Sequence, residues 1–383
     1  MPTVFGYGHG DVVRGLEASW NPGLGPWQLV EVDGRYWGRG VADNKGQHTI
    51  NIAAQAAVLA TRGRLGFNAK WLIEMGEETG SPGLREVCAE NRERLAADVL
   101  IASDGPRLAA ERPTLSLGSR GAYPIDFEIK AREGGHHSGN WGGLLANPAI
   151  ELAHALATIT GPTGQVRIAD WVPASIPESV RRVLADCELK SGPGDPAIDA
   201  DWGEPGLTSA EKVFAWCTFE ILAMTAGNPE NPVNAVPPRA WARGQVRYVV
   251  GIDPDRILPA LRRHLDRHGF PMVKIAKGRD EIFRATRVDP EHPWVRWVAG
   301  SLEKIPNSGG SLPNDIFTEG LGLPTIWLPH SYRGCSQHAP NEHLPASMAR
   351  EALGLMAGLY WDLGEPATPE RALAPIEPRP GRT

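Results

Sequence analysis

The chain has 383 residues, 42% hydrophobic and 22% charged, with a net charge of −6. That length suits two domains better than one, and the composition is that of an ordinary soluble globular protein. The acidic balance gives no electrostatic basis for binding nucleic acid or an anionic membrane, and no apolar run approaches the roughly 20 residues of a spanning helix.

The start, Met1-Pro-Thr-Val-Phe-Gly, lacks the basic region and apolar core of a signal peptide. Cys88, Cys187, Cys217 and Cys335 are scattered and form no CxxC pair. Such thiols suit a reducing compartment, so the expected location is cytoplasmic.

The first 118 residues alternate strand-like and helix-like segments. Thr3–Tyr7 reads as a strand ending in Gly-His-Gly-Asp11, and a Gly/Trp-rich stretch leads to Trp37-Gly-Arg-Gly-Val-Ala-Asp43. His48–Arg62 carries Ile50, Ile52, Ala53, Ala56, Ala57 and Leu59 at helical spacing. A strand over Lys70–Met75, a helix over Gly83–Leu95 and a strand over Asp98–Ser103 follow. This β-α-β alternation predicts an α/β fold with a mostly parallel sheet. Functional groups of such sheets gather at the carboxyl ends of strands, where His9, Asp11, Glu77, Glu78 and Asp104 all lie.

From about Ser119 the pattern changes. Ala122–Ile129 alternates as a half-buried strand, Pro148–Ile159 is helical, and Gly161–Ser209 reads as a long insertion. Phe219–Thr225 and Ala240–Val250 read as strands, Asp253–Arg267 as a helix and Met272–Lys277 as a last strand. The order βαββαβ is the ferredoxin-like plan, so residues 119–288 are expected as a domain inserted into a catalytic domain of 1–118 and 289–364. In the latter, Pro293–Lys304 reads as a helix, Gly309–Pro313 as a loop, Pro324–Leu328 as a strand and Pro345–Leu363 as a helix. The Pro-rich tail 365–383 is expected to be disordered or loosely docked.

Two adjacent carboxylates, Glu77 and Glu78, close an apolar strand at Gly76. Buried strand ends are poor places for two charges unless cations are near. His9, Asp43, Glu78, Asp104 and His338 supply carboxylate and imidazole donors suited to zinc or hard divalent ions. Asp11, two residues beyond His9, is placed to hold that imidazole by its second nitrogen. Taken singly, the HxD, the Asp43 and Asp104 turns and His338 each read equally well as loop residues. Together they point to a two-metal site.

Read in order, Gly8-His9-Gly10-Asp11, Gly38–Gly46, Gly76–Ser81, Ser103-Asp104, His137–Gly143, Asn234–Pro237 with Arg247, Gly309–Pro313 and His338–Glu342 resemble the co-catalytic metallopeptidases of family 20. That group holds aminoacylases, carboxypeptidases, carnosinase-type dipeptidases and acetylornithine or succinyl-diaminopimelate deacylases. The resemblance implies a di-zinc exopeptidase-like catalytic domain with a lid and dimerisation domain. Asp43 would bridge two zinc ions (cobalt or manganese as alternatives), with His9 and Asp104 on one and Glu78 and His338 on the other. Glu77 would be the general base, and the Asp43–Asn44 bond a cis peptide. His137 would donate to the oxyanion across a homodimer interface, assisted by Asn234. Arg247, Ser311 and Gly310 would bind the substrate carboxylate. Trp37 and Trp141 line the pocket or simply pack.

The implied reaction is cleavage of a peptide or amide bond next to a free carboxylate, in the dipeptidase or carboxypeptidase manner. An N-acyl-amino-acid deacylase has the same ligand set, and a non-catalytic member is the reading from a different class. The substrate is thus a small peptide or an N-acyl amino acid. Family members usually carry several tens of residues before the HxD motif, whereas His9 stands near the start, which predicts an exposed sheet edge.

Overall fold

The computed structural model describes residues 1–189, 191, 196–279, 281–299, 303–305 and 311–365. Gly310 and nearly all of the tail 365–383 lie outside the described residues. In chain order the principal elements begin with β1 (Thr3–His9), α1 (Lys45–Arg62), β2 (Asn68–Glu74), α2 (Leu84–Glu90), β3 (Val99–Ala102) and β4 (Thr114–Ser116). They continue with β5 (Gly121–Lys130), α3 (Pro148–Ile159), β6 (Thr218–Ala226), β7 (Arg239–Tyr248), α4 (Ile257–Arg267) and β8 (Lys274–Lys277). The last are β9 (Glu303–Ile305), β10 (Thr325–Trp327) and α5 (Ala346–Leu363).

The chain divides into two compact units, one of Met1–Ser119, Pro177–Ile198 and the chain from Thr286 on, the other of Arg120–Ile176 and Asp199–Ala285. The first unit holds a sheet of order β9-β4-β10-β3-β1-β2. All its pairs are parallel except β10 with β4. Its central strands are buried on both faces because apolar residues occupy successive positions, not alternate ones. Val4, Val99, Ile101 and Ile326 pack with Val58 of α1 and Met356 and Tyr360 of α5. Phe5, Tyr7, Leu100 and Trp327 pack on the opposite face with Leu84 and Cys88 of α2. Each such burial contributes roughly 1.5–3 kcal/mol, which makes the strand ends a rigid platform. β2 is the edge strand; Ile73 and the following Met75 are exposed, and among the described residues nothing pairs with its outer edge.

The second unit carries an antiparallel sheet of order β6-β7-β5-β8. Taken with α3 and α4, the chain order is βαββαβ. One core joins Ile125, Phe127 and Ile129 of β5 to Leu152 and Leu156 of α3 and Leu261 and Leu265 of α4.

Three segments depart from the sequence reading. Pro177–Ile198, expected within the 119–288 insertion, belongs to the first unit. Its short helix Glu178–Leu184 buries Val180 and Leu184, an i, i+4 apolar pair hidden in a polar stretch. The helix expected over Pro293–Lys304 ends at Val298, and Glu303–Ile305 instead extends the sheet beside Thr114–Ser116. Gly300-Ser301 separates them, residues of low helix propensity. The helix over Gly83–Leu95 is likewise two helices, Leu84–Glu90 and Arg92–Leu95, broken at Asn91.

Candidate two-metal active site

The parallel sheet places three functional segments side by side. His9 is the last residue of β1, Asp104 lies two residues beyond β3, and Glu77–Thr79 is a single 3-10 turn following β2. β1 pairs with both β2 and β3, so these ends are neighbours. Asp43 comes from the turn before α1, and its bond to Asn44 is a cis peptide. The helix start approaches that turn so closely that a Cβ on Gly46 would meet the Val41 carbonyl oxygen at 1.9 Å. Only glycine fits there.

Two groups of donors result, His9 with Asp43 and Asp104, and Asp43 with Glu78 and His338; within each, the ligand atoms lie within 4.8 Å of one another. Asp43 belongs to both. Its Oδ1 is 3.1 Å from His9 Nε2 and its Oδ2 is 3.2 Å from His338 Nε2, which is in turn 3.0 Å from a Glu78 oxygen. His9 and Asp104 are buried, whereas the His338 side chain is 57% exposed. Glu77 joins neither group, although its Oε2 is 3.9 Å from His9 Nε2.

The electrostatics are those of a site built for cations. Burial, reinforced by the Asp104 charge, pushes the Glu77 carboxyl up to about 9. Burial, reinforced by Asp43, raises Asp104 to about 7. Burial disfavours charge on His9, yet the Asp43 hydrogen bond and the Asp104 and Glu77 charges raise it to about 10. Hydrogen bonds with Asp43 and Glu78 raise His338 to about 10. Burial opposes ionisation of Asp43, but its bonds to His338 and His9 hold it well below the usual carboxylate range. Asp104 Oδ2 is buried with no hydrogen-bond partner. A buried, unpartnered carboxylate oxygen amid two imidazoles and three further carboxylates fits divalent ions and is costly without them.

A pH dependence follows for the metal-free protein. Glu77, Asp104, His9 and His338 all bind protons more tightly when folded, so folding stability falls as pH rises through their shifted values. The melting temperature in chelator should drop between about pH 6.5 and pH 10, above the range in which His48 and His330, lowered to about 4 and about 3, act in the opposite sense, and zinc should remove most of that slope by replacing the protons. A melting temperature independent of pH over this window would refute the assignment. The ligand arrangement also predicts that Glu78→Ala removes one equivalent of metal and leaves the other, read by elemental analysis of the purified variant.

Asp11 does more than its spacing suggested. Its Oδ1 is 3.3 Å from His9 Nδ1, and its carboxylate also accepts the backbone N–H groups of Glu77 at 3.2 Å and Glu78 at 3.0 Å. One side chain thus orients the His9 imidazole and caps the turn that carries both glutamates. Asn44 escaped the sequence reading. Fully buried, its Oδ1 accepts from His9 N–H and contacts His48 Nδ1, while Nδ2 donates to the Ser103 carbonyl at 2.7 Å. The only signal was its place after Asp43.

The remaining candidates are divided between the two units. His137 and Asn234 belong to the second unit, where the Ser138 N–H donates to the Asn234 carbonyl at 2.8 Å and His137 pairs with Ala235. Arg247, in β7, is also in that unit. Ser311, in the first unit, precedes Asn314, whose side chain bonds Thr286 and Trp327. Trp37 is half-buried against His343, and Trp141 is largely exposed.

A sequence model for peptidase family M20/M25/M40 matches residues 6–361. The human Beta-Ala-His dipeptidase is 34% identical over 95% of this chain and 75% of its own length. The Cysteinylglycine-S-conjugate dipeptidase of Corynebacterium striatum is 30% identical over 82% of this chain and 70% of its own. In fold, the chain is similar to an M20 family metallo-carboxypeptidase from Sulfolobus solfataricus, with a TM-score of 0.79 at 24% identity over 95% of this chain and 85% of that one. Dug1p from Saccharomyces cerevisiae superposes with a TM-score of 0.76 at 22% identity over 95% and 80%. With the donor set in place and the family model spanning nearly the whole chain, the protein belongs to peptidase family M20/M25/M40 and is a metal-dependent hydrolase of peptide bonds.

Proposed function

We propose that this chain is a two-metal dipeptidase that cleaves small peptides next to a free carboxylate. The observation that carries the reading is a pair of three-residue donor groups sharing Asp43, with a Glu77 carboxylate oxygen 3.9 Å from His9 Nε2 and within neither group. Relatives named for dipeptides of β-alanine and histidine, of cysteinylglycine conjugates and of Cys-Gly support the substrate size.

His9, Asp43 and Asp104 would hold one zinc and Asp43, Glu78 and His338 the other. Three protein ligands per ion leave room for reactants, and bound metals there acidify a water and polarise the scissile carbonyl. Glu77 takes the proton of the attacking water and delivers it to the departing amine nitrogen. Asp11 keeps the His9 ring and the Glu77 turn in register.

His137 is assigned to the oxyanion of the tetrahedral species, with Asn234 beside it, and Arg247 and the Ser311 segment to the substrate carboxylate. We place His137 in the site of a second copy. Supporting this, β6 is a sheet edge with Ile221, Leu222 and Met224 exposed, and the two segments that pair at His137 and Ala235 carry exposed Trp141, Leu144 and Val233. Surfaces of this kind mark association. Sedimentation with parallel assay is the check: full activity in a strictly monomeric protein refutes the trans role. Four free, buried cysteines suit a cytoplasmic setting.

The decisive test is a panel of dipeptides and N-acetyl amino acids, assayed after metal removal and reloading with zinc, cobalt or manganese. Dipeptide turnover restored by metal is expected. Turnover of N-acetyl amino acids alone would make the protein a deacylase, and activity indifferent to chelation would overturn the reading.

A further inference from the structure

The two donor groups are held by different means. His9 and Asp104 stand at the ends of adjacent buried strands, so the sheet itself sets their spacing. Glu78 and His338 have no such support. Glu78 sits on one 3-10 turn, and His338 lies in an irregular segment between a turn at Arg333–Cys335 and a strand at His343–Pro345, with a backbone φ of 61°.

One buried ion pair ties that segment down. Glu342 is fully buried, and its Oε1 accepts the backbone N–H groups of Gly40, Ala42 and Asp43 at 3.0, 2.9 and 3.1 Å. Its Oε2 accepts Arg39 Nη1 at 2.9 Å. The same Nη1 donates to the carbonyl of Ala339, next to His338, at 2.9 Å, and Nη2 donates to the Arg14 carbonyl at 3.1 Å. The Gly38 N–H closes the figure on the Glu342 carbonyl at 3.2 Å. The turn carrying Asp43, the segment carrying His338 and the chain beyond His9 are thereby fastened by two side chains that touch no reactant. Burial still raises the Glu342 carboxyl despite these partners, but three amide donors and a guanidinium fix its orientation. Both lie in motifs that the sequence reading quoted, but neither was given a role there.

We propose that Arg39 and Glu342 form a positioning unit that sets the affinity of the Asp43–Glu78–His338 metal site and leaves that of the His9–Asp43–Asp104 site to the strand ends. The inference rests on the two-metal reading above. Partners behind metal ligands typically govern affinity by about 10–100-fold, and the pair acts here on the spacing of Asp43 and His338.

The test is titration of metal-free wild type, Glu342→Ala, Glu342→Gln and Arg39→Met with zinc against a chromophoric chelator, beside thermal unfolding of the metal-free forms. In Glu342→Ala and Arg39→Met the second ion should bind roughly 10–100-fold more weakly, with the first within about 3-fold of wild type. Glu342→Gln, which keeps an acceptor oxygen for the three amides, should show a smaller loss of the same kind, and it decides the matter if Glu342→Ala does not fold. Unchanged second-ion affinity overturns the inference. So does equal weakening of both ions in step with the melting temperature, which marks a purely structural pair. A wild type that takes up fewer than two ions overturns the two-metal reading itself, an outcome distinct from either.

Discussion

Glu77→Ala is expected to retain two equivalents of metal and to lose about 10²–10⁴-fold in kcat, with a far smaller change in KM. The side chain stands 3.9 Å from His9 Nε2 without belonging to either donor group. Burial and the Asp104 charge push its carboxyl up to about 9 in the metal-free site, and bound cations would favour the ionised form that a general base requires. Removing it deletes a proton acceptor and leaves all five proposed ligands. Elemental analysis and steady-state kinetics on one preparation check both halves. Wild-type turnover in the variant would end the general-base assignment, and loss of metal would make Glu77 a ligand.

Asp43→Ala should have the other large effect, loss of both ions and of measurable activity. Asp43 is the one residue shared by the two groups, with one oxygen toward His9 and the other toward His338. Its removal leaves each ion two protein ligands and costs more than the roughly 100-fold that loss of a supporting partner can cost. The contrast with Glu78→Ala, expected to shed a single equivalent, is the informative part. Retention of one tightly bound ion in Asp43→Ala would show that the groups do not share a ligand.

Much of the fold was legible because the pattern of β1, α1, β2 and β3 is local: runs of apolar residues for strands buried on both faces, helical spacing between them. His9, Glu77, Glu78 and Asp104 were visible as a group for a related reason, since a parallel sheet gathers its strand ends. Where sequence reading failed, the deciding contact was distant. Glu303–Ile305 became the edge strand of the sheet because Thr114–Ser116 was there to pair with it. Pro177–Ile198 belongs to the first unit, and its buried Val180 and Leu184 are too sparse a stripe to stand out among prolines and charges.

By itself the sequence determined the fold class, the βαββαβ order of the second unit and the residue types available for metal and proton transfer, because periodicity and motif order are properties of a chain. Only the tertiary structure decided which atoms meet. It set Glu77 apart from the two donor groups, gave the Asp11 carboxylate the amides of Glu77 and Glu78, and closed Glu342 on a turn three hundred residues earlier. Hydrogen bonds of about 3 Å depend on the packing of several elements at once, and no local pattern in the chain encodes that.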